Sequence, residues 1–275
     1  LLWRLQHQRA YNGWNSFINL FTGCEGGRNK AKKVTASGVG GFSYSHGAII
    51  RGDTTKKNIA LVFTGHEFAD GGKIITQTLK DENLKASFFF TGDFYRNKNF
   101  KSVIKKLKKD GHYLGAHSDK HLLYCDWNKR DSLLVTKDEF ENDLSTNYKM
   151  MERFGFKKSN TQYFLPPYEW YNDKITEWTK EMGLQLINFT SGTRSNADYT
   201  TPDEKNYRSS EEIYQSIINC ESSNLAGLNG FMLLVHIGTD PKRTDKFYNR
   251  LPQLIAALKA KGYQFQTVEG LLKAD

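Results

Sequence analysis

Seven short apolar runs, separated by stretches of helical periodicity, constrain this chain more than any other feature. The runs cover residues 59–63, 86–90, 112–116, 162–165, 184–189, 231–236 and 263–268. Runs this short and this apolar suit strands buried on both faces of a parallel sheet. Helical stretches cover residues 72–83, 101–109, 136–154, 172–182, 209–220 and 249–261. Thr136 with Glu139, and Ser209 with Glu212, carry the spacing of a capping box, and Asn172 can cap the helix after it. Gly111, Gly183 and Gly262 stand where three of the helices should stop. Strand–helix alternation of this kind predicts parallel pairing with helices outside, in a closed barrel or an open doubly wound sheet. Both architectures gather functional residues at the C-terminal ends of the strands. With 275 residues, 38% of them hydrophobic, the chain can bury one large core.

Residues 1–45, rich in Gly, Asn, Lys and Ser, lack either period and are expected to form an extension packing on the main domain, 46–275. The net charge of +9 is concentrated in runs such as Lys105, Lys106, Lys108 and Lys109. A solvated helix face accounts for such a run, with an acidic polymer as the other reading. No helix-turn-helix, zinc finger or RNA-binding signature accompanies it, so nucleic acid is not expected as a partner. No apolar run approaches the ~18 residues of a membrane span. Cys24, Cys125 and Cys220 are odd in number and form no CxxC, so they predict no disulfide framework. The chain begins at Leu1, and the expectation is a secreted or periplasmic protein whose leader has been removed.

The strand ends carry the chemistry. After the first strand come His66, Glu67 and Asp70; after the third, His117-Ser118-Asp119-Lys120-His121; after the fourth, Pro166-Pro167-Tyr168-Glu169-Trp170. The loop after the fifth holds Arg194, Asn196, Asp198 and Tyr199, and the sixth strand ends in His236. Two imidazoles four residues apart at the start of a helical turn can face one point. Neutral imidazole suits zinc, and also cobalt, nickel or iron, with a carboxylate and a water completing a hydrolytic site. Two unrelated loop histidines would share that spacing, but the acids at the neighbouring strand end favour a metal pair. His236 can be a satisfied core residue or, at such a mouth, a general acid near neutral pH, with Asp198 bonded to its ring. Tyr124, Trp127, Trp170 and Tyr171 are candidates for stacking on sugar rings, or ordinary packing residues.

The order of these motifs resembles the polysaccharide deacetylases of carbohydrate esterase family four, over roughly residues 57–272. His117-Ser118-Asp119-Lys120-His121 matches the family's His-Ser-x-x-His, and Leu233-Leu234-Val235-His236 matches its Leu-x-x-His. Leu165-Pro166-Pro167-Tyr168-Glu169 is similar to Arg-Pro-Pro-Tyr-Gly without its Arg or its Gly. Lys85-Ala86-Ser87-Phe88-Phe89 and Lys261-Gly262-Tyr263-Gln264-Phe265 are similar to the family's second and last strands, and Asp198-Tyr199 to its Asp-Trp loop. The first motif, Thr-Phe-Asp-Asp-Gly in the family, is replaced. With Thr64 in register on the family's Thr, His66 takes the place of the base and Glu67 that of the metal-binding Asp. With Phe63 in register on its Phe, Thr64 and Gly65 take the two Asp positions and Asp70 is the reserve ligand.

The resemblance implies a distorted seven-stranded (β/α) barrel that removes acetyl groups from N- or O-acetylated polysaccharide or oligosaccharide. It implies a divalent metal, zinc foremost, on Glu67, His117 and His121. His66 would take the proton of water, a backbone N–H near Tyr168 would hold the oxyanion, and His236, paired with Asp198, would protonate the leaving group. Asp70, Pro167, Trp170, Arg194 and Tyr124 are the expected substrate contacts, Arg194 also standing in for the missing Arg. The altered first motif keeps two alternatives open: a carbohydrate-binding barrel without turnover, and a metal-dependent amidohydrolase on small C–N substrates.

Overall fold

The computed structural model describes residues 41–273. Its strands are β1 (Ser43–Ser45), β2 (Ala48–Arg51), β3 (Asn58–Gly65), β4 (Ser87–Phe90), β5 (Tyr113–Ala116), β6 (Tyr163–Phe164), β7 (Gln185–Leu186), β8 (Phe231–His236) and β9 (Gln264–Gln266). Its α-helices are α1 (Gly72–Asp81), α2 (Gly92–Arg96), α3 (Lys101–Lys109), α4 (Lys137–Glu152), α5 (Asp173–Glu181), α6 (Ser210–Ser223), α7 (Leu251–Ala260) and α8 (Val268–Leu271). Seven strands form one parallel sheet in the order β7-β6-β5-β4-β3-β8, with β9 pairing the first residues of β3. The expected barrel class holds. Most of the expected extension, residues 1–40, lies outside the described residues, and 43–45 form a hairpin with 48–51.

β3 shows why the sheet is buried on both sides. Ile59, Leu61 and Phe63 belong to the layer under the helices, while Ala60 and Val62 belong to the inner cluster with Met232 and Leu234 of β8. A period of two sends successive side chains to opposite faces, and both faces here are apolar. That parity carries past the strand ends. Two residues beyond Leu234, His236 falls on the inward side, level with Thr64 of β3. Both capping boxes form: the Thr136 hydroxyl accepts from Glu139 N while Glu139 returns to the Thr136 amide, and Ser209 with Glu212 does the same.

The barrel has a seam between β7 and β8. β2 fills it, through a parallel bridge from Ile49 to Ile187 and a hydrogen bond from Asn188 N to Ile49 O (2.9 Å). Thr190 N donates to Met232 O (3.0 Å) further along. Two strands are shorter than the sequence expectation, one of them because of this seam. The run 162–165 keeps only Tyr163–Phe164 in the ladder, because Pro166 and Pro167 carry no N–H to continue it. The run 184–189 keeps only Gln185–Leu186, because Asn188 turns to β2. The last strand stops at Gln266 because Thr267 caps α8, accepting from Gly270 N. Among the described residues, no helix is long and apolar enough to cross a membrane.

Candidate active site

The ends of β3, β5 and β8 and the loop after β6 surround a pocket of about 230 Å³. His66, Glu67, His117, His121, Tyr168, Glu169, Tyr199 and His236 line it. His66, Glu67, His117, His121 and His236, expected at three separate strand ends, therefore share one cavity, and Asp70 stays outside it.

His117 follows β5 and is 2% exposed. Its Nδ1–H donates to the Leu165 carbonyl (2.8 Å), which fixes the tautomer and leaves Nε2 with its lone pair. Burial, opposed only by that hydrogen bond, pulls its pKa down to about 3, so the ring is neutral at physiological pH. His121 lies 5.1 Å from it, ring centroid to ring centroid, and His66 lies 4.8 Å from His121 with nearly parallel planes. His66 Nδ1 is bonded to Thr91 Oγ1 (3.0 Å).

The turn between the two histidines is strained, with Ser118 and His121 at φ 71° and 56°. Two residues of α4 hold it. Asn147 accepts from His117 N (2.8 Å) and donates to Phe90 O (3.2 Å). Asp143 accepts from the amides of Asp119 (3.1 Å) and Lys120 (3.0 Å) and from the Tyr124 hydroxyl (2.9 Å). Tyr124 is thereby corrected: at 0% exposure it cannot stack on a sugar, and it serves as packing beneath the histidine turn.

His236 and Asp198 meet as expected. The ring Nδ1–H donates to Asp198 Oδ1 (2.6 Å), and the backbone N–H of His236 donates to Oδ2 (2.8 Å). Burial disfavours the charged imidazole, but the charge and hydrogen bond of Asp198 more than offset it, so the pKa is raised. The Tyr199 ring lies 5.1 Å from that of His236.

Glu169 is the residue that sequence reasoning misses. It is 9% exposed, lines the pocket, and has φ 54°, next to Tyr168 at φ 58°. Left-handed backbone is costly for any residue with a Cβ and easy for glycine. The motif carries Gly at this position in the family it resembles, and that vacated Gly is the available signal. Burial, together with the Asp198 charge and against that of His236, pushes the Glu169 carboxyl up to about 7. Tyr168 is pushed up to about 12, by burial and the Glu67 charge.

The remaining expected residues lie outside the lining. Asp70 is turned away: it accepts from Thr239 N (2.8 Å) and Tyr248 OH (2.8 Å) and pairs with Lys246 (3.0 Å), so it is no reserve ligand. Trp170 is half-buried, with the Arg130 guanidinium 3.9 Å over its ring and its Nε1–H donating to Asp126 O (3.2 Å). Pro167 is buried, and the Arg194 amide donates to Ser216 Oγ (3.0 Å) on α6. Gly65 leaves no room for a side chain, because a Cβ there would stand 2.8 Å from Ile237 Cγ2 and 2.9 Å from the rings of Phe90 and Phe94.

The donor chemistry suits a divalent metal at His117, whose Nδ1–H is held by a carbonyl as in imidazole ligands generally. Among the described residues, however, no three His, Cys, Asp or Glu side chains come together as a set able to hold an ion.

Comparison with known proteins agrees with this architecture. The polysaccharide deacetylase family profile matches residues 51–187. A peptidoglycan-N-acetylglucosamine deacetylase of Bacillus cereus is 26% identical over 72% of this chain and 80% of its own length. The peptidoglycan-N-acetylmuramic acid deacetylase PdaA of Bacillus subtilis is 25% identical over 82% of this chain and 75% of its own. The solved structure of PdaA, a family 4 carbohydrate esterase, superposes with a TM-score of 0.63 over 82% of this chain and 85% of that one, at 23% identity. A family-four pseudoenzyme of Bacillus anthracis does so with a TM-score of 0.63 over 84% and 70%, at 19% identity. The chain belongs to the polysaccharide deacetylase family, with a divergent first motif.

Proposed function

We propose that this chain hydrolyses the acetyl group from an N-acetylated polysaccharide of the peptidoglycan type, with His236 as proton donor and Glu169 as proton acceptor. The observation that carries the reading is the Asp198–His236 pair, 2.6 Å apart at the pocket wall, which points the second ring nitrogen away from Asp198. Water attacks the acetyl carbon as Glu169 takes its proton. The C–N bond then breaks as His236 Nε2–H protonates the leaving nitrogen, giving acetate and a free amine. Glu169 is assigned as base in preference to His66 because a carboxyl held near 7 is a stronger base than an ordinary one, while His66 is stacked on His121 and bonded to Thr91. The amides of Glu169 and Trp170 are bonded to the Pro166 and Pro167 carbonyls, and we assign the neighbouring Tyr168 amide to the oxyanion.

A divalent cation, zinc foremost with cobalt, nickel or iron as alternatives, is proposed at His117 and His121, with Glu67 of the same pocket as a third donor that would have to move into reach of them. Bound there, it would polarise the acetyl carbonyl and acidify water. Metal content of the purified protein tests this: His117→Ala should lose the ion, and equal content in both proteins rejects the site. Action on a cell-wall glycan agrees with a secreted or periplasmic location. Acetate release from N-acetylated glycan tests the function, and His236→Ala should slow it by about 10²-fold or more.

A second reading is favoured on the register that sets Thr64 and Gly65 on the family's two acid positions, because Gly65 has no space for a side chain. On that reading the barrel holds acetylated glycan without turnover, and the superposing Bacillus anthracis protein is itself a family-four pseudoenzyme. Glycan binding with no acetate released, at any added divalent metal, would establish it.

A further inference from the structure

Away from the catalytic pocket, α2, α3 and the end of α4 enclose a groove of about 640 Å³. Its lining holds seven cationic side chains and no carboxylate. Lys101, Lys105 and Lys109 recur on one face of α3, while Ile104 and Leu107 on the opposite face are buried. Like charges four residues apart weaken a helix, and a purely solvated face would normally intersperse acids. Neighbouring cations show the ordinary solution: Lys106 pairs with Asp110 (2.7 Å) and Arg96 with Asp93 (2.8 Å). Among the described residues, Lys98, Lys101, Lys105, Lys109 and Arg153 form no ion pair.

The second observation is at the floor. Tyr95 lines the groove, is 4% exposed, and packs against Phe90 and Phe154. Its hydroxyl is buried with no hydrogen-bond partner among the described residues. A buried hydroxyl left unsatisfied is costly, and at the floor of a basic groove an incoming anionic oxygen is a partner that would satisfy it.

We propose that this groove binds the acidic groups of an anionic polysaccharide, with the lysines pairing its carboxylates or phosphates and Tyr95 donating to one of them. The glycan identity rests on the reading of the active site above. α2 connects the two sites: Thr91 at its start is bonded to His66, and Tyr95 and Arg96 lie at its other end, about 8 Å along. Both sites therefore lie on α2 and its cap, and a polymer, unlike a single sugar, is long enough to reach from one to the other. Single-stranded nucleic acid is disfavoured, because it needs exposed aromatic platforms for its bases, and the aromatic residues here are the buried Tyr95 and half-buried Phe154.

The test is calorimetric titration of the full chain with short polygalacturonate, over a range of salt concentrations. A neutral N-acetylglucosamine oligomer and a single-stranded oligonucleotide of matched charge serve as comparison probes. Polygalacturonate should bind more tightly than either, with affinity falling as salt rises. Lys101→Glu with Lys105→Glu should weaken it by about tenfold or more and lower the salt slope by about one per lysine. Tyr95→Phe should weaken it about fivefold without moving the slope. Both variants should release acetate from the neutral oligomer at the wild-type rate. Unchanged affinity in the double variant, or tighter binding of the oligonucleotide, overturns the proposal. Loss of acetate release in the wild type with groove binding intact overturns the active-site reading and leaves the groove standing.

Discussion

Glu169→Gln should make the protein more stable and less active, and the stability gain should depend on pH in a defined window. The carboxyl titrates near 4.5 in an unfolded chain and is raised to about 7 in the fold, chiefly by burial. A raised folded pKa means that the native state holds its proton more tightly. The associated stability is complete below the unfolded value and is lost as pH rises through about 7. At about 1.4 kcal/mol per pH unit, ionising Glu169 in place costs the fold about 3 kcal/mol at pH 8. Glutamine keeps the shape and cannot ionise. Below pH 4.5 the variant and wild type should therefore unfold alike, and above pH 7 the variant should be more stable by up to about 3 kcal/mol. Urea unfolding at pH 4.5, 6 and 8.5, followed by tryptophan fluorescence, measures this directly. Acetate release, if Glu169 is the base, should fall by about 10²–10⁴-fold, and the wild-type rate should rise with pH through about 7. A stability difference that is constant with pH would refute the buried-acid account. Full activity in the variant would refute its assignment as base.

Three further outcomes follow from the same geometry. Asp198→Asn removes the charge that holds the His236 pKa up, so that pKa falls; the high-pH limb of the rate profile, where the general acid loses its proton, should move to lower pH. His236 also contributes stability that is present below the ordinary imidazole range and lost as pH rises through its folded value, so the variant should lose most stability at mildly acidic pH, measurable by thermal unfolding. Asn147→Ala leaves the His117 amide and the Phe90 carbonyl unpaired at a site with 0% exposure, and should cost about 1–3 kcal/mol in denaturant unfolding. Gly65→Ala drives a methyl into Ile237, Phe90 and Phe94, and should cost about 1–3 kcal/mol by the same measurement.

The legible parts of this molecule are those written locally. Thr136 with Glu139, and Ser209 with Glu212, announce their helices because a cap is a contact between residues three apart. The apolar runs announce parallel strands because burial on both faces erases alternation. His236 and Asp198 can be paired only because one ends a strand and the other stands on the loop after its neighbour in chain order, where a barrel brings distant loops together. What stays hidden depends on neighbours that no local pattern records. Asp143 and Asn147 look like polar residues of an amphipathic helix, and only the turn above them makes them the clamp of His117. Tyr124 looks like a loop aromatic, and only that same clamp draws it fully inside.

Glu169 shows how the two kinds of information combine. Its position reads in the sequence as a missing glycine, a loss, when the same substitution is also the arrival of a carboxyl. The backbone there stays left-handed without glycine's freedom, at a cost of roughly 1–2 kcal/mol. Burial adds the ionisation cost already described. Two penalties at one residue, in a pocket shared with His236, are hard to retain for packing alone, since glycine would remove both. Gly65 is the converse: the space that a side chain would take there is filled by Ile237, Phe90 and Phe94. A side chain is excluded at Gly65, while Glu169 brings a carboxyl to another wall of the same pocket. With Glu169 as proton acceptor, the acid–base pair of the proposed reaction stands on the loop after β6 and at the end of β8, and Glu67 beyond β3 is left for the cation.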